Sequence, residues 1–251
     1  MIYRKSPEEL DKMRQSGKIL ASCLDRLEEM IVPGATTASL DLAFAEMLQE
    51  AGAEASFKGY RGFPASICAS PNHVIVHGIP DPTPLEEGDI VSLDLGVFHQ
   101  GFHADSAWTF PVGEVSEETT RLLDATRSAL DAAVKQCEVG SRVGDIGYAV
   151  EQVIEPTGFS LVQEYAGHGV GRSLHEEPWV PNYGPPARRE RLAVGMTLAI
   201  EPMVNAGGPE TKTLEDGWTV VTADESLSAH FEHTVAITED GPEIFTLRDG
   251  A

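Results

Sequence analysis

The chain has few cysteines, few basic residues and no long apolar run. Its three cysteines, Cys23, Cys68 and Cys137, lie far apart and form no C-x-x-C pair, which excludes a disulfide framework and a zinc knot built from thiolates. Eighteen lysines and arginines stand against forty acidic residues, giving a net charge of −22. The average surface therefore repels phosphate backbones and anionic lipids, and no direct nucleic-acid binding is expected. Any bound metal must use oxygen and imidazole ligands.

The absence of a membrane or export signal points to the cytoplasm. No apolar stretch approaches the ~20 residues that a membrane-spanning helix needs. The first ten residues carry Arg4, Lys5, Glu8 and Glu9, where a signal peptide has its apolar stretch. Hydrophobic residues make up 41% of the chain, which is ordinary for a globular protein with a substantial core. We therefore expect a cytoplasmic protein without membrane contact.

Four amphipathic helices are predicted, arranged as two pairs. The first begins at Ser6, which offers a capping hydroxyl before a proline and a carboxylate three residues on, and its apolar spacing continues to Pro33-Gly34. The second runs from about Thr37 to Gly52. The second pair runs from Ser116 to Gly140 and from about Ile146 to Gly158.

These pairs suggest an internal repeat. Gly34 and Gly140 lie 106 positions apart, and the same offset brings Phe44 onto Val150 and Gly52 onto Gly158. Both halves then show helix, glycine turn, helix and strands. We predict one domain spanning residues 1–251, with repeats at roughly 6–110 and 112–240 around a shared core. The alternative is that two unrelated amphipathic helices align equally well.

Acidic residues fall on predicted strands that are otherwise apolar. In residues 91–97 the apolar side chains take the odd positions, so Asp94 points to the other face. If the following turn is His99-Gln100, Asp94 lies directly opposite Asp105, and such a pair destabilises the sheet unless a cation lies between the carboxylates. A three-residue turn with a bulge at Gly101 would shift this register. Two solvated aspartates on an exposed face are the other interpretation.

Two further acidic residues and one histidine extend this pattern. Glu201 ends the polar face of one predicted strand, and Glu232 lies on the face opposite to Phe231 and Val235. His168 lies in a Gly-His-Gly-Val-Gly segment, where glycines let the backbone bend closely around a site; the segment lacks the full pattern of a phosphate-binding loop. Four carboxylates and one neutral imidazole carry a charge of −4, which two divalent cations neutralise. The oxygen-rich donor set favours Mn, Fe or Co.

At these positions the chain resembles the type I methionine aminopeptidases, subfamily A of the metallopeptidase family M24, in their short bacterial form. The resemblance is carried by residues 59–64, 72–80, 92–96, 101–105, 167–171, 201–202, 216–218 and 231–234. It implies the α/β (α+β) pita-bread fold, in which duplicated helix-helix-strand units surround a central antiparallel sheet with pseudo-twofold symmetry. It also implies two divalent cations (Co, Mn, Fe or Zn) with the ligands Asp94, Asp105, His168, Glu201 and Glu232.

The resemblance further implies a reaction and roles for individual residues. The reaction is hydrolytic removal of the initiator methionine from new polypeptides whose second residue is small. Glu201 matches the proton shuttle of the family. His77 and His175 match histidines that contact the substrate and stabilise the tetrahedral intermediate. His99, His230 and His233 fall outside these roles and are assigned structural ones.

The resemblance also implies a binding pocket for the methionine side chain. By position its walls are Tyr60, Phe63, Cys68, Leu174, Met203 and Trp218. Aromatic and polarisable groups suit a thioether. Leu174 is smaller than the aromatic residue expected there, which loosens the expected selection for methionine.

We expect the protein to be a monomer whose partners are the N-termini of nascent peptides. Residues 222–226 are acidic or neutral where the family has a basic loop, and the only compact basic cluster is Arg188, Arg189 and Arg191. Transient proximity to the ribosome is therefore expected rather than strong docking. Two rival functions remain: a proline-specific aminopeptidase or dipeptidase of the same fold, and a non-catalytic binding protein of that fold.

Overall fold

The computed structural model describes residues 1–248 and contains the two predicted helix pairs. The α-helices are α1 (Pro7–Glu28), α2 (Thr37–Ala51), α3 (Glu117–Val134) and α4 (Val143–Ile154). The Ser6 hydroxyl accepts a hydrogen bond from the Glu9 backbone N–H, and the Glu9 carboxylate accepts one from the Ser6 N–H, so the predicted cap of α1 is confirmed. No helix among these residues is long and apolar enough to cross a bilayer.

Helix α1 ends earlier than its apolar spacing predicts. It stops at Glu28 rather than at Pro33-Gly34, because the β-branched pair Ile31-Val32 and the proline after it disfavour helical backbone. Ile31 is nevertheless buried. The apolar spacing therefore identified the buried residues correctly but overestimated the length of the helix.

Most strands are short, and every strand pair among residues 1–248 is antiparallel. They are β1 (Glu54–Ala55), β2 (Ile67–Pro71), β3 (Val74–Val76), β4 (Ile90–His99), β5 (Phe102–Pro111), β6 (Ser160–Leu161), β7 (Gly167–Gly169), β8 (Glu176–Val180), β9 (Thr197–Ile200), β10 (Met203–Asn205), β11 (Thr211–Thr213), β12 (Val220–Thr222), β13 (Ser228–His230), β14 (His233–Thr238) and β15 (Gly241–Ile244). Two larger sheets have the orders β1-β4-β2, with β5 also paired to β4, and β15-β14-β9-β7-β8. Two smaller sheets have the orders β13-β10-β6 and β11-β12-β3.

Strand pairing recurs between the two halves. Glu54 of β1 pairs with Phe98 of β4, and 106 to 107 positions later Ser160 of β6 pairs with Asn205 of β10. Gly52 and Gly158 both have left-handed backbone after a helix. At this offset the positions of strand β4 fall on two strands, β9 and β10, which are separated by Glu201-Pro202.

The β4–β5 hairpin corrects the predicted register. Its turn is Gln100-Gly101, with positive φ of 50° and 87° at the two positions, as a tight two-residue hairpin requires. Gly96 therefore pairs with Asp105, and Asp94 pairs with Ala107. The predicted direct opposition of Asp94 and Asp105 is wrong by two residues. A shift of two preserves the face, so the two aspartates are diagonal neighbours on the same side of the hairpin.

One apolar core links both halves. Its fully buried members include side chains of the four helices and of strands β4 and β9: Leu24, Leu40, Leu93, Leu122, Ile146 and Leu198. The helices thus cover one side of the sheets. The polar face of β4 and β5 is left to form the wall of a cavity on the other side.

Candidate metal centre

The five residues predicted as metal ligands lie in the wall of one cavity of about 280 Å³. Asp94 and Asp105 come from the β4–β5 hairpin and His168 comes from β7. Glu201 follows β9, and Glu232 lies between β13 and β14. Residues that are far apart along the chain therefore meet in space.

The spacing of the donor atoms suits a divalent cation. His168 Nε2 lies 3.6 Å from Glu201 Oε1 and 3.9 Å from Asp105 Oδ2. One donor atom each from Asp105, His168 and Glu232 fall within 4.8 Å of one another. Metal–ligand bonds of about 2.1 Å separate two donors on one cation by roughly 3–4 Å.

The carboxylates lack the partners that buried charges need. Asp94 Oδ1, Asp105 Oδ1 and Glu232 Oε1 are buried and accept no hydrogen bond from residues 1–248. Burial raises the pKa of Asp94 to about 7. Burial, followed by repulsion from neighbouring carboxylates, raises the pKa values of Asp105, Glu201 and Glu232 well above the usual range. Such groups stay charged only beside a compensating cation, so this donor set fits bound divalent metal.

His168 is oriented as a neutral nitrogen donor. Its Nδ1 lies 2.8 Å from the backbone oxygen of Gly169, which can only accept a hydrogen bond, so Nδ1 carries the proton and Nε2 faces the carboxylates with its lone pair. Burial lowers the pKa of His168 to about 4. A Cβ on Gly167 would lie 2.3 Å from the Ala199 carbonyl oxygen, so glycine is needed for β7 to approach β9.

Comparison with known proteins assigns the family. The model of metallopeptidase family M24 matches residues 11–239. The methionine aminopeptidase of Clostridium perfringens is 50% identical over 247 residues, which cover 98% of this chain and 99% of that protein. The crystal structure of methionine aminopeptidase from Thermotoga maritima has 44% identity and a TM-score of 0.97, covering 99% of this chain and 100% of that chain. The chain belongs to the methionine aminopeptidases of family M24.

Family membership confirms the predicted pita-bread fold. It also confirms the predicted activity, that of a metal-dependent aminopeptidase that acts on the N-termini of peptides. The prolidase of Pyrococcus furiosus shares this fold at 22% identity and a TM-score of 0.79, and this chain covers 66% of its length. At that identity the likeness extends to the fold alone.

The six side chains assigned to the methionine pocket border the same cavity as the carboxylates: Tyr60, Phe63, Cys68, Leu174, Met203 and Trp218. The rings of Phe63 and Trp218 meet edge to face with centroids 5.2 Å apart. Phe63, Cys68 and Leu174 form one buried apolar cluster with Phe57. This part of the cavity is suited to an apolar side chain.

His77 and His175 also border the cavity. His175 Nδ1 lies 2.9 Å from the Tyr60 hydroxyl, and the two rings stack at 5.3 Å. His77 has left-handed backbone, with φ of 60°, and its ring meets Tyr165 and Trp218 edge to face. Burial lowers the pKa values of both histidines, so their rings are neutral at pH 7.

The structure adds cavity residues that sequence reasoning missed. Phe57, Arg61, Tyr165, Trp179 and His230 all line the cavity. Trp179 pairs with His168 across β7 and β8, and its side chain is 51% exposed. No spacing rule points to Phe57, Arg61, Tyr165 or Trp179, because they reach the cavity through tertiary packing.

His230, to which the sequence analysis assigned a structural role, is one of these cavity residues. Its ring lines the catalytic cavity, and both ring nitrogens are buried without a hydrogen-bond partner among residues 1–248. A signal was available in the sequence, since His230 precedes Glu232 by two positions and so falls on the same face of an extended segment.

Proposed function

We propose that this protein removes the N-terminal methionine from polypeptides whose second residue is small, and that it does so with two bound divalent cations. The observation that carries the proposal is the shared cavity: four carboxylates and an imidazole line it together with an apolar pocket of thioether and aromatic groups. The family assignment supports aminopeptidase chemistry at that place.

The proposed ligands are Asp94, Asp105, His168, Glu201 and Glu232. Their charge of −4 matches two divalent cations, drawn from Mn, Fe, Co or Zn. When bound, divalent cations would polarise the first peptide carbonyl and lower the pKa of the attacking water, so that the water gives up a proton near neutral pH. The buried, unpartnered carboxylate oxygens support this loading.

In this proposal Glu201 takes the proton from the attacking water and returns it to the departing amine. His77 and His175 act as neutral donors to the peptide carbonyl as it gains negative charge. The hydrogen-bond contact between His175 and the Tyr60 hydroxyl fixes the ring for that role. Neutral imidazoles suit this task because they donate a proton in a hydrogen bond without adding charge to the cavity.

The methionine side chain is proposed to bind among Tyr60, Phe63, Cys68, Leu174, Met203 and Trp218. The sulfur of a bound methionine would meet the edges of aromatic rings, a favourable contact for a thioether. Leu174 leaves more space than an aromatic residue, so other straight apolar side chains should be accepted at reduced rates.

The cellular setting is also proposed. We expect a cytoplasmic monomer, folded as a single domain with two repeated halves, that acts on nascent chains. The matching strand pairs of the two halves support the repeat. The net charge of −22 favours transient rather than tight contact with the ribosome.

The proposal is tested with peptides that differ only at the second residue. Purified protein with added Mn(II) or Co(II) should release methionine from Met-Ala-Ser and not from Met-Leu-Ser. Equal release from both peptides would contradict the requirement for a small second residue. Cleavage restricted to X-Pro bonds would favour the proline-specific rival, and tight metal and peptide binding without hydrolysis would favour a non-catalytic binding protein.

A further inference from the structure

A buried imidazole without partners lies in the catalytic cavity. His230 is 2% exposed, and neither its Nδ1 nor its Nε2 has a hydrogen-bond partner among residues 1–248. Leaving a buried donor or acceptor unpaired is unfavourable. The working protein must therefore give at least one of these nitrogens something to bind.

A candidate partner is Glu201. His230 Nε2 lies 3.9 Å from Glu201 Oε2, while His168 Nε2 lies 3.6 Å from Glu201 Oε1. The carboxylate is thus placed between two imidazoles, with one oxygen toward the proposed cation site and the other toward His230. A displacement of roughly 1 Å or less brings the His230–Glu201 pair into hydrogen-bond range.

The position of the His230 ring is fixed by its backbone. The His230 N–H donates to Thr109 Oγ1 at 2.8 Å, and the Thr109 hydroxyl donates to the His230 carbonyl oxygen at 2.9 Å. Ser92 Oγ lies 2.8 Å from the same Thr109 hydroxyl. A histidine anchored in this way to β4 and β5 points its ring reproducibly into the cavity.

Direct metal binding by His230 fits less well. A ligating histidine donates its other ring N–H to a fixed acceptor, as His168 does to Gly169, whereas His230 Nδ1 has no such acceptor among residues 1–248. A neutral imidazole carries one N–H, which either ring nitrogen can hold. The Nε2 atom can therefore donate to a carboxylate oxygen without bringing positive charge into the site.

We propose that His230 is a positioning residue for Glu201: its Nε2–H donates to Oε2 and holds the carboxylate plane so that Oε1 stays toward His168. The inference rests on the proposed function of Glu201 as proton shuttle. A carboxylate held in this plane is oriented for proton transfer before the substrate arrives, which raises the rate of the chemical step rather than the affinity for the substrate.

The test compares His230→Leu, which removes the donor at similar size, with His230→Gln, which keeps an N–H donor. With Met-Ala-Ser and Mn(II), the leucine variant should lose about 10-fold or more in kcat, as is typical when a hydrogen-bond partner of a metal-site residue is removed. Its KM and its Mn(II) affinity, measured by titration calorimetry, should each stay within about threefold of the wild-type values. The glutamine variant should recover most of the rate.

Other outcomes overturn the inference. An unchanged kcat in the leucine variant would show that His230 does not act on Glu201. Equal losses in both variants together with weaker Mn(II) binding would make His230 a metal ligand, and a raised KM at unchanged kcat would place it in the substrate-binding wall. An inactive wild-type protein would instead refute the proposed function.

A measurement on the wild-type chain keeps the inference testable if the leucine variant fails to fold. In zinc-loaded protein labelled with ¹⁵N-histidine, His230 should show a protonated Nε2, and the Glu201→Gln variant should shift that resonance. A ring protonated at Nδ1, or an Nε2 resonance unaffected by Glu201→Gln, would refute the proposed hydrogen bond without reference to activity.

Discussion

Replacing Asp94 with asparagine should stabilise the metal-free protein at pH 8 while it abolishes hydrolysis. Burial raises the pKa of Asp94 from 3.8 to about 7. An unfolded chain releases this proton near pH 3.8, so the folded chain binds more protons between about pH 4 and pH 7. The stability of metal-free wild type should therefore fall as the pH rises through this window. An asparagine carries no charge and avoids that loss.

The size of the effect follows from the shift. A pKa displaced from 3.8 to about 7 corresponds to about 4 kcal/mol at pH 8, at 1.36 kcal/mol per unit. This is an upper value, because the carboxyl faces a cavity that admits water and is therefore screened. For a chain of this length about 4 kcal/mol corresponds to roughly 8 °C in the melting temperature. At pH 5 most of the difference in melting temperature between wild type and the Asp94 variant should disappear.

The assay is thermal unfolding by circular dichroism after chelation with EDTA, at pH 5 and pH 8. Asp240→Asn is the matched control, because Asp240 is exposed on the turn between β14 and β15 and its charge should matter little. Adding Mn(II) at pH 8 should stabilise wild type more than the Asp94 variant. If metal-free wild type melts at the same temperature at both pH values, or if the variant is less stable at pH 8, the reasoning is wrong.

Three further substitutions test the surroundings of the site. Lys5 Nζ lies 2.7 Å from the Glu176 carboxylate in a buried pair, so Lys5→Met leaves that carboxylate without its partner and should lower the free energy of unfolding by about 3 kcal/mol. In urea unfolding, adding Glu176→Gln to this variant should restore part of the lost stability. No recovery in the double variant would contradict the pairing. Gly167→Ala puts a Cβ 2.3 Å from a carbonyl oxygen of β9 and should weaken Mn(II) binding in calorimetry; unchanged affinity would show that β7 has room to move. Trp218→Ala removes the edge contact with Phe63 and should raise the KM for Met-Ala-Ser by about 10-fold. Steady-state kinetics measures this change, and an unchanged KM would contradict the prediction.

The convergence of the carboxylates could be predicted because it depends on a period of two. Strand alternation fixes the face of Asp94 and Asp105, and a register error of two residues changes neither face. The exact partner could not be predicted, because the turn type depends on Gln100 adopting positive φ, which is uncommon for a residue that is not glycine. The sequence therefore predicts which face of the strand carries each ligand more reliably than it predicts which residue pairs with that ligand across the sheet.

The role of His230 was hidden for a different reason. A lone histidine is more often a satisfied structural residue than a functional one, and the spacing of two residues between His230 and Glu232 indicates a shared face but not whether the ring nitrogens have partners. Its significance depends on the absence of partners for both ring nitrogens among residues 1–248. The hydrogen-bond partners of a buried side chain are supplied by residues far away in sequence, such as Glu201. A local sequence pattern therefore does not predict them.

The place where the ligands meet coincides with a break between two strands. Strand β4 runs unbroken through Asp94, whereas β9 and β10 are separated by Glu201-Pro202. Proline has no N–H to donate to a neighbouring strand, and the facing segment, Phe231-Glu232, is likewise outside the strands β13 and β14 that flank it. The interruption leaves the backbone groups of Glu232 free to bond elsewhere.

Those groups bond to the first half. The Glu232 N–H donates to the Ala107 carbonyl oxygen at 2.8 Å, and the Ser106 hydroxyl donates to the Glu232 carbonyl oxygen at 2.6 Å. Two residues further along, Thr234 Oγ1 accepts from the Asp105 N–H at 2.9 Å and donates to the Asp105 carbonyl oxygen at 2.8 Å. These contacts, made where the chain passes from β13 to β14, therefore join the two halves of the chain. Because Asp105 and Glu232 lie on opposite sides of this junction, the same hydrogen bonds that hold the halves together also fix the distance between two proposed ligands.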